Sequence, residues 1–375
     1  MKPRYFFPLG KAYGEAFCNR VEETEKLLGN IENGKHTLLI APRRYGKSSL
    51  CERVFELADL AYRRLDFHIA VSAKDVERII INGVIDLIGD SIGSVEKLVN
   101  IVKKYARQLK PKLTVGTKKV FYLELETVSN SSPAENIAEA LLLLEKLLRE
   151  KNKQALLLFD EFQEIGGMTE GRGIEGAIRH AAQETRNLAL IFSGSSPHLL
   201  SNMFDDERRP LYKLCRKLVI ERISTKDYQT HINKAAKAMW KQNLNQQVFE
   251  RIMELSECHP YYVNYLCDEL WSKKESVPNI DDVNKAWDMV VEEERSDLLK
   301  DFFALSENQR KLMIYLANYG GNDIYSQVAA KKMDIHITSV SRALTTLIEK
   351  DYLEKYDGGY RLIAPVYKNL LQIDR

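Results

Sequence analysis

The stretch "LLIAPRRYGKSSL", residues 38–50, decides the fold class of this chain. It begins as an apolar run typical of a buried strand and continues through a basic turn into Gly46, Lys47 and Ser48. A loop of this kind between a strand and a helix directs backbone N–H groups at an anion, while a lysine adds positive charge and a hydroxyl reaches a metal ion. The pattern therefore predicts a phosphate-binding loop.

The loop departs from the usual G-x-x-x-x-G-K-[ST] pattern at its first position, where Ala41 replaces glycine. Alanine there requires ordinary backbone angles or a small strain. We predict nucleotide contacts along the whole loop, at Ala41, Pro42, Arg43, Arg44, Tyr45, Gly46, Lys47, Ser48 and Ser49. Ser48 is also the predicted magnesium ligand. The alternative for this loop alone is a basic surface turn in which Arg43 and Arg44 are solvated.

Two acidic residues, Asp160 and Glu161, follow the apolar run "ALLLF" at 155–159. A run of this kind is typical of a strand that is buried on both faces. At its end, Asp160 can hold a magnesium ion, and Glu161 can orient or deprotonate a water molecule that attacks a γ-phosphate. The alternative is a pair of helix N-cap residues. Together with the loop, the pair predicts ATP and Mg²⁺ as ligands and ATP hydrolysis as the activity.

A third polar group follows the apolar run "LALIF" at 188–192. Ser193 and Ser195 either sense the γ-phosphate or belong to a Ser/Gly turn that satisfies its own backbone. Arg208, Arg209 and Arg216 come shortly after them. An arginine beside a transferring phosphoryl group stabilises its charge, but most surface arginines have no such role. The sequence does not choose among the three.

The order of elements predicts an α/β fold. Strands at 37–41 and 65–71 and the buried apolar runs that begin at 155 and 188 alternate with helices, which is typical of a parallel sheet covered on both faces, with ligands at the carboxyl ends of its strands. A hairpin with its turn at Gly116 lies inside an insertion at about 72–126. A helix at 133–151 has Ser132 as N-cap and Glu135 as its capping-box partner.

We predict three domains: a core at 1–225, a helical domain at 226–298 and a C-terminal domain at 299–375. In the last of these, three helices precede a hairpin that turns at Asp357–Gly359, which is the winged helix-turn-helix pattern. Residues 303–375 hold ten Lys or Arg and eight Asp or Glu, a weak charge for a dedicated DNA-binding domain.

Composition sets further bounds. The chain has 375 residues, with 55 basic and 53 acidic side chains and a net charge of +2, so no global attraction to nucleic acid or membranes is encoded. Its five cysteines are scattered without CxxC pairs, which is typical of a reducing compartment. No apolar run has the length of a signal peptide core or a membrane span. These features favour a cytoplasmic protein that does not contact a membrane.

These motifs resemble those of the archaeal-type ATPase family, which belongs to the AAA+-related STAND class of P-loop ATPases. The similarity extends over about residues 8–300. "FCNRVEETEKL" resembles an F-x-G-R-x-x-E opening, with Asn19 in place of glycine, and "APRRYGKSSL" resembles G-P-R-R-x-G-K-[ST]-S-L. "LLLFDEFQEI" resembles h-h-h-D-E-F-Q, and "IFSGSSPHLL" resembles the strand that carries the family's phosphate sensor.

The resemblance implies roles for single residues. Asp160 is the implied magnesium-shell carboxylate, Glu161 the catalytic base and Gln163 a supporting polar group, and Arg20 joins the nucleotide contacts. "RRPLYKLCR" resembles P-L-Y-G-R with Lys213 and Leu214 at the Gly and Arg positions, so the arginine role stays unassigned between Arg216 and Arg209.

"CHPYYVNYLC" resembles the helical lid that closes over the nucleotide, which implies His259 and Pro260 as contacts. The alternative for His259 is a helix N-terminal residue without a ligand. The family further implies a switch, in which ATP holds the lid and the tail against the core, and hydrolysis or exchange releases them.

Three hypotheses for the function stay open. In the first, an ATP-dependent switch engages double-stranded DNA through the helix at 338–350, with Thr338, Ser339, Arg342, Thr345 and Thr346 facing outward. In the second, the winged helix contacts only the chain's own core or a protein partner. In the third, the protein binds nucleotide without turnover. A homo-oligomer is expected if the arginine comes from a neighbouring chain.

Overall fold

A computed structural model describes residues 6–92, 109–115, 121–127, 131–273 and 276–372. These residues separate into two units that are each assembled from distant parts of the chain. The sheet unit contains residues 21–41 and 51–220, and the helical unit contains residues 1–20, 42–50 and 221–375. The predicted division into three consecutive domains stays a prediction.

The strands of the described residues are β1 (Thr37–Ile40), β2 (Ala61–Asp66), β3 (Leu109–Val115), β4 (Phe121–Thr127), β5 (Ala155–Asp160), β6 (Leu188–Gly194), β7 (Arg216–Val219), β8 (Leu353–Tyr356) and β9 (Gly359–Leu362). The helices are α1 (Val21–Glu32), α2 (Lys47–Ala58), α3 (Ala73–Ile92), α4 (Pro133–Glu150), α5 (Gln163–Gly166), α6 (Gly171–Glu184), α7 (Pro197–Asp205), α8 (Thr225–Trp240), α9 (Gln246–Ser256), α10 (Pro260–Lys273), α11 (Ile280–Phe303), α12 (Glu307–Tyr319), α13 (Gln327–Met333), α14 (Ile337–Glu349) and α15 (Tyr367–Leu370). A short 3₁₀ helix covers Gly14–Ala16.

A five-stranded parallel sheet forms the centre of the sheet unit, in the order β2-β5-β6-β1-β7. Every residue of β5 and β6 is buried, because both faces of these apolar strands are covered. The predicted α/β fold with a parallel sheet is confirmed. The carboxyl ends of the strands share one edge, where Ile40 lies beside Gly194 and Asp66 beside Asp160.

Two strand predictions were wrong. The strand predicted at 65–71 is β2, which spans Ala61–Asp66. Parallel pairing with β5 sets these bounds, and beyond them Ile69 and Val71 are exposed. The edge strand β7 was missed altogether, because its charged residues Arg216 and Lys217 are typical of an edge strand and not of a buried one.

The other elements of the sheet unit agree with the predictions where they are described. β3 and β4 form the expected antiparallel hairpin, although its turn at Gly116 lies outside the described residues. Within the predicted insertion, helix α3 is described from Ala73 to Ile92. Helix α4 begins with the predicted capping box, in which Ser132 and Glu135 exchange hydrogen bonds.

The helical unit has two apolar clusters. Helices α8–α11 surround the first, which contains Tyr228, Trp271 and Trp287. The second is built from α12, α13, α14, α15 and the antiparallel β8–β9 hairpin, with Leu312 and Leu344 at its centre. Among the described helices, we find none with the length and apolar character of a transmembrane span.

Candidate functional site

The loop between β1 and α2 has a conformation that explains both of its small residues. Gly46 has a φ of +85° and Arg44 one of +65°, whereas Ala41 does not have a positive φ. Alanine is therefore compatible with the first loop position, where its side chain is fully buried. Arg44 and Gly46 both lie in the left-handed region that favours glycine, and glycine is present at the second of these positions.

Helix α2 begins at Lys47, and its first backbone hydrogen bond runs from the N–H of Leu50 to the carbonyl of Gly46. The preceding N–H groups of the first turn have no acceptor inside the helix and present its positive dipole end. Ser48 lies in this turn. The hydroxyl of Ser49 accepts a hydrogen bond from the N–H of Ala12 at 3.0 Å, so it holds the N-terminal segment.

Two loop side chains are anchored inside the helical unit. The buried Tyr45 donates its hydroxyl to Glu354 (2.6 Å), and its carbonyl accepts from Arg20 (3.1 Å). Arg44 pairs with Glu294 at 3.0 Å and lies 4.0 Å from the ring centre of Tyr261. Arg43 is exposed. The structure thus brings Arg20 against the loop, and its contact with a nucleotide stays a prediction.

His259 lies against the same loop, immediately before Pro260 opens α10. Its ring meets the ring of Tyr45 edge-on, with centroids 4.8 Å apart, and its Nδ1 accepts from the N–H of Tyr261 at 3.3 Å. Burial lowers the pKa of His259 well below its ordinary value, and nearby Arg222 and Arg44 lower it further. His259 is therefore a neutral residue next to the loop.

The acidic residues meet at the carboxyl edge of the sheet. Asp160 is 2% exposed. One of its oxygens accepts from Arg64 and the other from the hydroxyl of Ser193, both at 2.5 Å. Sequence reasoning missed Arg64, because the strand was predicted to begin at 65. Since the N-cap of α5 is Phe162, the pair Asp160–Glu161 does not cap that helix.

Glu161 is held in a strained conformation, with a φ of +54°. Its carboxylate accepts from the N–H and hydroxyl of Ser195, at 3.1 and 2.8 Å, and from the amide of Gln163 at 2.7 Å. A Cβ on Gly194 would lie 1.8 Å from the Gln163 oxygen, so glycine is needed there. These contacts fix the direction of the Glu161 carboxylate.

The three candidate arginines have different surroundings. Arg208 is exposed and pairs with Asp206 at 2.9 Å. Arg209 forms an ion pair with Glu175, a residue of α6 whose side chain is fully buried. Arg216 begins β7 beside Thr37, at the amino edge of the sheet and not at the edge that carries Asp160.

The residues fit a magnesium ion and a nucleotide. Mg²⁺ prefers oxygen ligands, and Asp160 and Ser48 both offer oxygens. A helix N-terminus that begins at Lys47, with Gly46 before it, suits phosphate groups. Asp160 and Ser48 belong to different units, and each fits this role within its own unit.

Comparisons with known proteins agree with this fold. Residues 100–215 match the family model of an AAA domain. A Walker-type ATPase of Pyrococcus abyssi is similar over 98% of this chain and 100% of its own, with 18% identity and a TM-score of 0.69. The ORC2 protein of Aeropyrum pernix, solved in ADPNP and ADP complexes, is similar over 99% of this chain and 98% of its own, with 14% identity and a TM-score of 0.55. No curated protein sequence matches. The chain therefore has the α/β fold of P-loop NTPases.

Proposed function

We propose that this protein binds ATP, hydrolyses it with Mg²⁺ and acts as a nucleotide-controlled switch. The observation that carries the proposal is the pair of carboxylates at the sheet edge. Buried Asp160 is held by a guanidinium and a hydroxyl, and the strained Glu161 beside it is held by Ser195 and Gln163. Strained, hydrogen-bonded polar residues of this kind concentrate at functional sites.

Each residue has a separate role in the proposed reaction. The N–H groups of the first turn of α2 and the ammonium of Lys47 bind the phosphates. Asp160 would hold Mg²⁺, which would neutralise charge on the phosphate oxygens. Glu161 accepts a proton from water as the water oxygen bonds to the γ-phosphorus, and the bond from that phosphorus to the ADP oxygen breaks.

Replacing Glu161 by Gln tests the hydrolysis step. The variant keeps the size of the side chain but cannot accept the proton, so turnover should fall by on the order of 10²-fold or more. Affinity for ATP should stay near the wild-type value. Glu170→Gln is the matched control, since Glu170 is an exposed glutamate nine residues further on. Equal phosphate release from wild type and Glu161→Gln would exclude this role for Glu161, and release from both proteins at the rate of a protein-free blank would favour nucleotide binding without turnover.

We further propose that the C-terminal segment is a winged helix-turn-helix that engages duplex DNA through α14. Val340, Leu344 and Leu347 are buried in the cluster below this helix, and Thr338 and Arg342 are exposed on it. The alternative is a protein partner, for which the exposed apolar side chains nearby are suitable: Phe303, Tyr325 and Val328.

Titration with labelled duplex DNA separates the two, at about 50 and 200 mM salt and with or without ATP. Phosphate contacts predict weaker binding at the higher salt. Arg342→Ala should weaken binding, whereas Arg53→Ala, an exposed arginine of the sheet unit, should not. Absence of binding at low salt in both nucleotide states would exclude the DNA role.

A further inference from the structure

The buried side chain of Arg222 contacts several segments of the helical unit. Its side chain is 5% exposed. A guanidinium has five N–H donors, and all three nitrogens of this one are bonded. Its Nε contacts Tyr45 and Glu354, its Nη1 the carbonyl and carboxylate of Glu257, and its Nη2 the carbonyls of Leu362 and Ile363, all at 2.9–3.1 Å.

These partners come from three separate segments. Tyr45 belongs to the loop before α2, Glu257 to the turn before α10, and Glu354 to the β8–β9 hairpin. Glu354 links them further, because its Oε1 also accepts from the hydroxyl of Tyr45 and from Arg361, each at 2.6 Å. One carboxylate oxygen of the hairpin therefore contacts the loop tyrosine and two arginines.

The side chains that surround Arg222 depend on one another to stay in place. A buried guanidinium is costly unless its charge and donors are satisfied, so Arg222 requires Glu354 and Glu257 to stay in place. Tyr45 in turn lies between Arg44 and Gly46, the two loop residues with positive φ. Anchoring its side chain therefore constrains the backbone that precedes α2.

We infer that Arg222 and Glu354 are positioning residues of the phosphate-binding loop. Through the hydroxyl of Tyr45, they couple nucleotide occupancy to the β8–β9 hairpin. The inference rests on the proposed function, because it assumes that this loop binds the nucleotide. Linkage makes the coupling reciprocal: displacement of the hairpin weakens nucleotide binding, and bound nucleotide holds the hairpin.

Tyr45→Phe and Glu354→Gln test the coupling, since each removes one part of the contact while keeping side-chain volume. We expect fluorescent ADP to dissociate on the order of ten-fold faster from each variant, because a hydrogen bond to a charged group is lost. The double variant should behave like either single one. Tyr356→Phe is the matched control. Tyr356 lies on the same hairpin as Glu354, and its hydroxyl donates to Asn322, which is outside the hairpin.

Hydrogen exchange in nucleotide-free protein provides a readout that does not depend on ATP binding. Glu354→Gln should speed exchange of the amides at 43–50, while the urea midpoint of the sheet unit stays unchanged. Faster exchange and faster ADP release support the coupling. If both variants bind ADP normally, with unchanged ADP dissociation and unchanged hydrogen exchange, the coupling is overturned while the proposed function stands. A wild-type protein that binds no nucleotide would overturn it together with the proposed function.

Discussion

Arg209→Ala distinguishes a structural arginine from one that acts on phosphate. Arg209 pairs with Glu175, whose side chain is 0% exposed, and a second contact joins Nε of Arg209 to Oε2 of Glu175 at 3.2 Å. Alanine would leave this carboxylate buried without a counter-charge. Breaking a buried ion pair on one side costs about 3–5 kcal/mol, a large part of the roughly 5–15 kcal/mol that stabilises a typical domain.

The loss should depend on pH in a defined direction. Burial raises the pKa of Glu175 above its ordinary 4.5, and Arg209 opposes that rise. Without Arg209 the pKa rises further, so the folded variant binds a proton at pH values where the unfolded chain has released it. Stability of the variant therefore falls as pH rises from the ordinary value through the raised one. The deficit relative to wild type should be full at pH 8 and smaller near pH 5.

Urea unfolding at the two pH values measures this effect. Circular dichroism is the suitable signal, because the three tryptophans, Trp240, Trp271 and Trp287, all lie in the helical unit. Arg208→Ala is the control: its exposed pair with Asp206 should contribute little. A variant that unfolds at the wild-type urea concentration, yet binds ATP and fails to hydrolyse it, would refute the structural role and favour a catalytic one.

Two further substitutions follow from local geometry. Gly194→Ala should displace Gln163 from Glu161, lowering turnover and costing about 1–3 kcal/mol by overpacking; a turnover rate and melting temperature equal to wild type would contradict the contact. Ser132→Ala should cost about 1 kcal/mol by removing the cap that bonds Glu135, measured as a lower urea midpoint with nucleotide affinity unchanged.

Local patterns were sufficient for much of the sheet unit. The loop before α2, the acidic pair at the end of β5 and the Ser132 cap were all predicted where the structure has the corresponding elements. Each depends on residues a few positions apart, because periodicity, capping and a strand end are short-range properties. The parallel sheet followed from the alternation of these elements.

The sequence by itself therefore determined most of the element types, the parallel sheet and the candidate residues at its edge. Only the tertiary structure decided which charges pair: Arg64 with Asp160, Arg209 with Glu175, and Arg222 with residues up to 177 positions away. It also decided that β7 is a strand, through pairing with β1. The physical reason is that hydrogen bonds and ion pairs depend on distance in space, and chain packing brings together residues whose local sequence carries no sign of each other.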